Sequence, residues 1–340
     1  MKKNIILVAA AAIACLCGCA KTQTSGTNDA SKQYFDAWVS THKDASWKET
    51  GLGSWIIEDK AGSGEMVGEF HDSLFLRFNY TFSDLKGDIS GSSYAAVNQQ
   101  LGTYAEGDYY GPQIFYGQSL YAGLEDMLKG MKTGGRRKVA IPGWLITYDR
   151  YSAPEKYLDK EGGDPGIYEI ELTDIINNIN KWECDSISSY IANNFKVSGS
   201  VSELSDTTGF WYIRTAEPES EKEMCDTTVY INYIGRLLNG TVFDTNIRDT
   251  AVFHGIDSDS RDYSPISFSI KDEYSNSTMG DDETKVVKGF ARAISKMHPF
   301  EQGSGIFMSE LGYWYNGSGN TIPAYSPLRF DIQIVKDPTK

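Results

Sequence analysis

The chain predicts an α+β architecture built twice: two tandem copies of one domain, each a curved antiparallel sheet wrapped on one short helix, joined by a linking helix. A degenerate repeat is the first sign. Gly53-Ser54-Trp55-Ile56-Ile57 matches Gly209-Phe210-Trp211-Tyr212-Ile213, and Arg77-Phe78-Asn79-Tyr80-Thr81 matches Tyr230-Ile231-Asn232-Tyr233-Ile234. Gly123 in LYAGL matches Gly289 in VVKGF, and IYEIEL from Ile167 matches LRFDIQI from Leu328. The order is kept and only the spacing between the matches changes. The second sign is that each copy closes on strict alternation. Leu328, Phe330, Ile332 and Ile334 interleave with Arg329, Asp331 and Gln333, and Tyr168, Ile170 and Leu172 interleave with Glu169 and Glu171. That period of two marks a half-buried antiparallel strand. The third sign is one short helical stretch before each closing strand, Gly123–Met131 and Gly289–Met297, which gives several strands to one helix. With 340 residues, 40% of them hydrophobic and 13% aromatic, the chain has material for two cores.

Along the chain, Lys2 and Lys3 precede an apolar run from Ile5 to Ala14, too short to span a bilayer as a mature helix and suited to a signal-peptide core. Leu16-Cys17-Gly18-Cys19 follows and resembles a bacterial lipobox, with Cys15 a weaker register. Residues 1–19 are therefore expected to be a lipoprotein signal peptide with Cys19 lipidated. The lipid anchor would hold the protein on a membrane of the bacterial cell envelope: the outer membrane, its periplasmic side or the cell surface. Residues 20–31, rich in Thr, Ser, Gly and Asn, read as a flexible tether. The first domain is expected over 32–175, opening with a short helix around Tyr34, Phe35 and Trp38. Ile176, Ile179, Trp182, Ile187 and Ile191 recur at near-helical spacing and place the linking helix and its loop over 176–205. The second domain is expected over 206–338.

Several chemistries are excluded. A net charge of −14 argues against a nucleic-acid partner, which needs clustered Lys and Arg. His42, His71, His254 and His298 are scattered, without metal-ligand spacing, so neither metal nor cofactor is expected. Gly303-Ser304-Gly305 reads as a turn rather than a phosphate cradle, and Asp281-Asp282-Glu283 as a solvated loop rather than a calcium site. Cys184 and Cys225 leave one disulfide open, since sequence does not say how close they come. What remains is aromatic.

The second copy resembles an FKBP-type prolyl isomerase domain along its whole length. Val229 to Asp244 is similar to the family's first strand and its G-x-x-F-D corner, here Gly240 to Asp244. Pro265 to Ile270 resembles its P-F-x-F-x-L strand, Val286 to Phe290 its V-I-x-G-W, and Met297 to Phe300 its M-x-x-G turn without the glycine. Tyr313 falls at the pocket tyrosine and Ile322-Pro323 at the I-P of the long loop. The resemblance implies a proline pocket. Phe290 would be its floor, in place of the family's tryptophan, and Tyr233, Phe243, Ile266, Phe268, Val286, Ile322 and Phe330 its walls. The Val287 N–H and the Tyr313 hydroxyl would bond substrate carbonyls, and Asp244 would lie at the rim near Tyr233. Tyr233, Phe243, Asp244, Phe290 and Tyr313 are the expected catalytic set. The substrates implied are proline-containing extracytoplasmic polypeptides, and the rival reading is a non-catalytic chaperone or peptide-binding module. Two loops, Thr245 to Ser264 and Lys271 to Lys285, exceed the family's minimal domain. In the first copy Leu124 would be the floor and no Phe-Asp pair follows Gly87, so the scaffold is expected to persist with an altered pocket.

Overall fold

A computed structural model describes residues 27–196, 205–206 and 209–338. Cys19 and the expected signal peptide lie outside the described residues. The polar tether expected through residue 31 gives way earlier. The Asn28 side chain donates to the Tyr157 carbonyl, and helix α1 (Asp29–His42) follows at once, burying Phe35 and Val39 against the first core.

The first sheet is antiparallel throughout. Its strands are β1 (Lys48–Glu49), β2 (Trp55–Lys60), β3 (Phe75–Asp84), β4 (Ile89–Ser92), β5 (Gln113–Tyr116), β6 (Arg136–Ile141) and β7 (Gly166–Ile176). The order is β1-β2-β6-β7-β3-β4, with β5 also on β3. Helices α2 (Ala95–Leu101), α3 (Ala122–Leu128) and α4 (Glu155–Leu158) accompany it. The linking helix α5 (Ile179–Asn194) starts later than its apolar spacing suggested, because Ile176 is the last residue of β7. The Asn178 side chain caps its first turn by accepting the Lys181 N–H. The face bearing Ile187 and Ile191 packs on Trp211, Ile213, Ile306 and Met308 of the second domain. Both isoleucines are fully buried, and each such side chain contributes about 1.5–3 kcal/mol.

The second sheet contains β8 (Ser205–Asp206), β9 (Phe210–Ala216), β10 (Thr227–Leu237), β11 (Val242–Thr245), β12 (Ile266–Ile270), β13 (Thr278–Met279), β14 (Thr284–Lys285), β15 (Gln302–Phe307) and β16 (Leu328–Val335). The order is β14-β13-β12-β10-β16-β15-β9-β8, with β11 on β10. Helix α6 (Arg248–Phe253) sits in the first long loop, and the second long loop forms the β13–β14 hairpin. Helix α7 (Lys288–Ser295) packs on the sheet. Gly303-Ser304-Gly305 is not a turn but the buried middle of β15. A Cβ on Gly305 would stand 2.5 Å from the Ala293 methyl, so the small residues let α7 approach the strand.

Strand register shows that the two domains are one design. Tyr80 pairs with Ile170 and Arg137 with Ile170; Tyr233 pairs with Ile332 and Gly303 with Ile332. One strand further out, Trp55 pairs with Ala140 and Trp211 with Ile306, each three residues along β6 or β15 from the previous pair. Counting along these ladders sets Tyr80 opposite Tyr233, Trp55 opposite Trp211 and Ile141 opposite Phe307. The helix glycines agree. A Cβ on Gly123 would stand 2.3 Å from Ile141, and one on Gly289 would stand 2.3 Å from the Phe307 ring. In both copies glycine lets the helix touch the equivalent side chain.

Candidate active site

Strand β10 is the platform of the site. Its alternation turns Ile231, Tyr233 and Leu237 inward, and all three are buried. At Gly240, with φ +93°, the chain reverses and returns as β11, which sets Asp244 opposite Gly235. The Tyr233 hydroxyl donates to Asp244 Oδ2 at 2.7 Å. Burial pushes the Tyr233 hydroxyl well above the ordinary tyrosine range, and the Asp244 carboxylate adds to the shift, so the phenol stays protonated and donating.

Above this strand lies a cluster of rings. Phe290, at the start of α7, is 2% exposed and Phe330 of β16 is 6% exposed. Their centroids are 4.7 Å apart, and Tyr233 meets Phe290 edge-on at 5.4 Å. Phe243 meets Phe330 edge-on at 5.5 Å. Edge-to-face packing of this kind fixes ring positions beyond what area burial does. Ile266, Val286, Val287 and Tyr313 are partly buried around the same cluster, and Ile322 is buried in it. Phe268 is fully buried and meets Phe290 edge-on at 5.9 Å, so it supports the floor from behind. Val287 is the N-cap of α7, and its N–H lies outside the helix's own bonding. The Tyr313 hydroxyl is raised above its usual range by burial and then by the Asp244 charge, which places it in the field of the same carboxylate. The expected site residues thus converge on one cluster.

A model of the FKBP-type peptidyl-prolyl cis-trans isomerase family matches residues 219–335. This segment is an FKBP-type domain. The macrophage infectivity potentiator of Trypanosoma cruzi is 27% identical over 110 residues, which are 32% of this chain and 43% of that protein. The match therefore spans less than half of that relative's own length. Among solved structures, FkpA from Escherichia coli is similar at 21% identity over 44% of this chain and 58% of that one, with a TM-score of 0.29. The three FKBP domains of wheat FKBP73 are similar at 16% identity over 86% of this chain and 98% of that one, with a TM-score of 0.30.

The FKBP-type domain holds residues that sequence reasoning missed. Arg261, from the long loop after β11, donates from Nη1 to Asp244 Oδ1 at 2.5 Å and from Nη2 to the Tyr233 hydroxyl at 2.9 Å. Asn246, 1% exposed, accepts the Tyr233 N–H and donates to the Ile231 and Ser264 carbonyls, which ties both ends of that loop to β10. Phe307 stacks on Phe330 at 5.9 Å. Gly235 is decisive for the cluster: a Cβ there would stand 2.6 Å from the Phe243 ring and 2.9 Å from that of Phe330. Cys184 and Cys225 are separate thiols.

The first domain repeats the scaffold with a different filling. Phe82 lies two residues beyond Tyr80, the place of Gly235, and pairs with Gly91 where Gly235 pairs with Asp244. Its ring stacks on Tyr80 at 4.6 Å and tilts onto Tyr168 at 4.8 Å. Leu124 takes the place of Phe290. In the first domain the Phe82 ring packs on Tyr80 and Tyr168 from the place that glycine leaves to Phe243 in the second, and Gly91 stands where the second domain has its rim carboxylate.

Proposed function

We propose that the second domain is a peptidyl-prolyl cis-trans isomerase for extracytoplasmic polypeptides, carried on a bacterial envelope membrane by a lipid on Cys19, and that the first domain is not catalytic. The cluster of Phe243, Phe290, Phe330 and Tyr233, with Asp244 and Arg261 at its rim, is the observation that supports this reading. Rotation about an X-Pro bond faces a barrier of about 18–20 kcal/mol from amide resonance. No bond breaks, so the reaction needs neither nucleophile nor metal. An apolar site takes the prolyl ring out of water and favours the twisted, less dipolar amide over the planar one. The Tyr313 hydroxyl and the Val287 N–H are the donors that would hold substrate carbonyls as the amide turns.

Turnover of a short Leu-Pro peptide by the full chain tests the proposal. Phe290→Ala is expected to reduce turnover to background. Tyr313→Phe keeps the ring and removes one donor, so a several-fold to roughly tenfold loss is expected. Asp244→Asn is expected to weaken activity or peptide affinity with the fold intact. Wild-type turnover in all three folded variants would place the chemistry elsewhere. The altered residues of the first domain, Phe82, Gly91 and Leu124 in place of Gly235, Asp244 and Phe290, favour a second reading for the whole protein, a non-catalytic peptide-binding chaperone, because this chain already keeps one copy of the scaffold without the expected catalytic set. Peptide binding without turnover would select it. For the anchor, Cys19→Ala is expected to abolish lipid labelling and release the protein from the membrane fraction.

A further inference from the structure

Tyr313 and Ile322 sit on a long loop between β15, which ends at Phe307, and β16, which begins at Leu328. Two of its non-glycine residues are left-handed, Trp314 at φ +43° and Tyr325 at φ +56°, and the Tyr325 N–H donates to the Trp314 carbonyl at 2.8 Å. Such backbone persists where surrounding structure over-determines it. Here three grips come from outside the second domain. Glu183 of α5, 1% exposed, accepts the Ser309 N–H at 2.6 Å and the Ser309 hydroxyl at 2.7 Å. The Ser309 carbonyl in turn accepts the N–H groups of Gly312 and Trp314, both at 2.8 Å, so this grip passes straight into the Tyr313 turn. In the middle of the loop, the Tyr109 N–H of the first domain donates to the Asn320 carbonyl at 2.9 Å, and Asn320 Nδ2 donates to Asp108 at 3.4 Å. At its far end, Phe75 of β3 meets the Tyr325 ring edge-on at 5.0 Å. The helix that carries Glu183 is itself fixed to the first domain: Trp182 lies 5.9 Å from the Arg77 guanidinium, which pairs with Asp174 at 3.0 Å.

We propose that the first domain and α5 are a clamp for the client site of the second domain, with Glu183, Tyr109 and Phe75 as positioning residues for Tyr313 and Ile322. The proposal rests on the reading of the second domain as the client-binding one. It gives the first domain a task that uses its outer surface.

The test uses the full chain, a short Leu-Pro peptide and three variants, Glu183→Ala, Phe75→Ala and Glu183→Gln. The first two are expected to raise KM about threefold to tenfold with kcat nearly unchanged, the mark of lost uniform binding. Glu183→Gln keeps an acceptor for the N–H and a donor for the hydroxyl, and is expected to match wild type. Amide exchange over residues 309–325, read by mass spectrometry, is expected to quicken in the same two variants and needs no turnover. Exchange and KM both unchanged in folded variants overturn the clamp. Faster exchange with KM unchanged also overturns it, since the loop would then be held for stability alone. A wild-type chain without turnover defeats the isomerase reading, and the peptide Kd then replaces KM: weaker binding with faster exchange supports the clamp, and an unchanged Kd sinks it.

Discussion

Phe300 holds a left-handed backbone, φ +61°, at the position where the first domain has Gly134 at φ +79°. A side chain there crowds the neighbouring carbonyl at a cost of about 1–2 kcal/mol. Phe300 is 36% exposed and recovers part of that by packing. Phe300→Gly is therefore expected to stabilise the protein by about 1 kcal/mol, seen as a higher denaturant midpoint at constant slope. A lower midpoint would mean that packing outweighs the strain. The missing glycine was visible in the sequence; its backbone consequence was not, because a motif does not show whether the turn changed or the residue was strained. The aromatic site residues were legible because each belongs to a short motif and the motifs keep their order. Arg261 was not. It is one of two arginines, with Arg248, in a loop that also holds Asp249, Asp257, Asp259 and Asp262, and nothing local distinguishes it from these neighbours. Only the fold brings it back to Asp244, 17 residues earlier in the chain.

At the scale of elements, α5 was legible by its apolar spacing, but its charge pattern concealed its most constrained residue. Burial pushes the Glu183 carboxyl up to about 7 against two hydrogen bonds from Ser309, and the nearby Glu310 charge raises it further. Between about pH 4.5 and 7 the folded chain then holds a proton that the unfolded chain has lost. The Glu183 contribution is complete below the unfolded value and disappears as pH rises through the folded one, on the order of 3 kcal/mol in all. Tyr325 and Cys184, which feel the same charge, remain protonated through this window. Stability of wild type is expected to fall more steeply than that of Glu183→Gln as pH rises from 5 to 8. Parallel denaturation curves for the two proteins across that range would remove Glu183 as the cause. The loops were least legible. Their length signalled added structure, but α6 and the β13–β14 hairpin have too few residues to carry a periodic pattern.

At the scale of the molecule, the tandem repeat was legible from four matches; the ladders extend it to the helix glycines and correct the last match by one residue, setting Tyr168 with Phe330 rather than Ile167 with Leu328. What the matches could not show is that Phe82 stands at the place of Gly235, since it reads in sequence as one more aromatic on an alternating strand. Its place opposite Tyr168 gives a direct prediction for the other copy. Gly235→Phe is expected to displace Phe243, lower turnover at least tenfold and lower the melting temperature, since the added ring overpacks the cluster. Retained turnover in a folded variant would show that the two sites are not equivalent.

Strand β16 lies between β10 and β15 although it follows both in the chain. Until it is in place, those two strands have no common partner, Phe330 is absent from the cluster, and two ladders of unpaired backbone stand open. The first domain, by contrast, has all of its strands by Ile176. A chain that emerges N-terminus first can therefore complete the surface that receives the 309–327 loop before that loop exists. Its partner acquires a pocket only in a single closing event, when β16 slides in. The vulnerable interval in the life of this protein is the time spent waiting for that strand, and a holdase that protects it would need to recognise β10 and β15 as exposed edges.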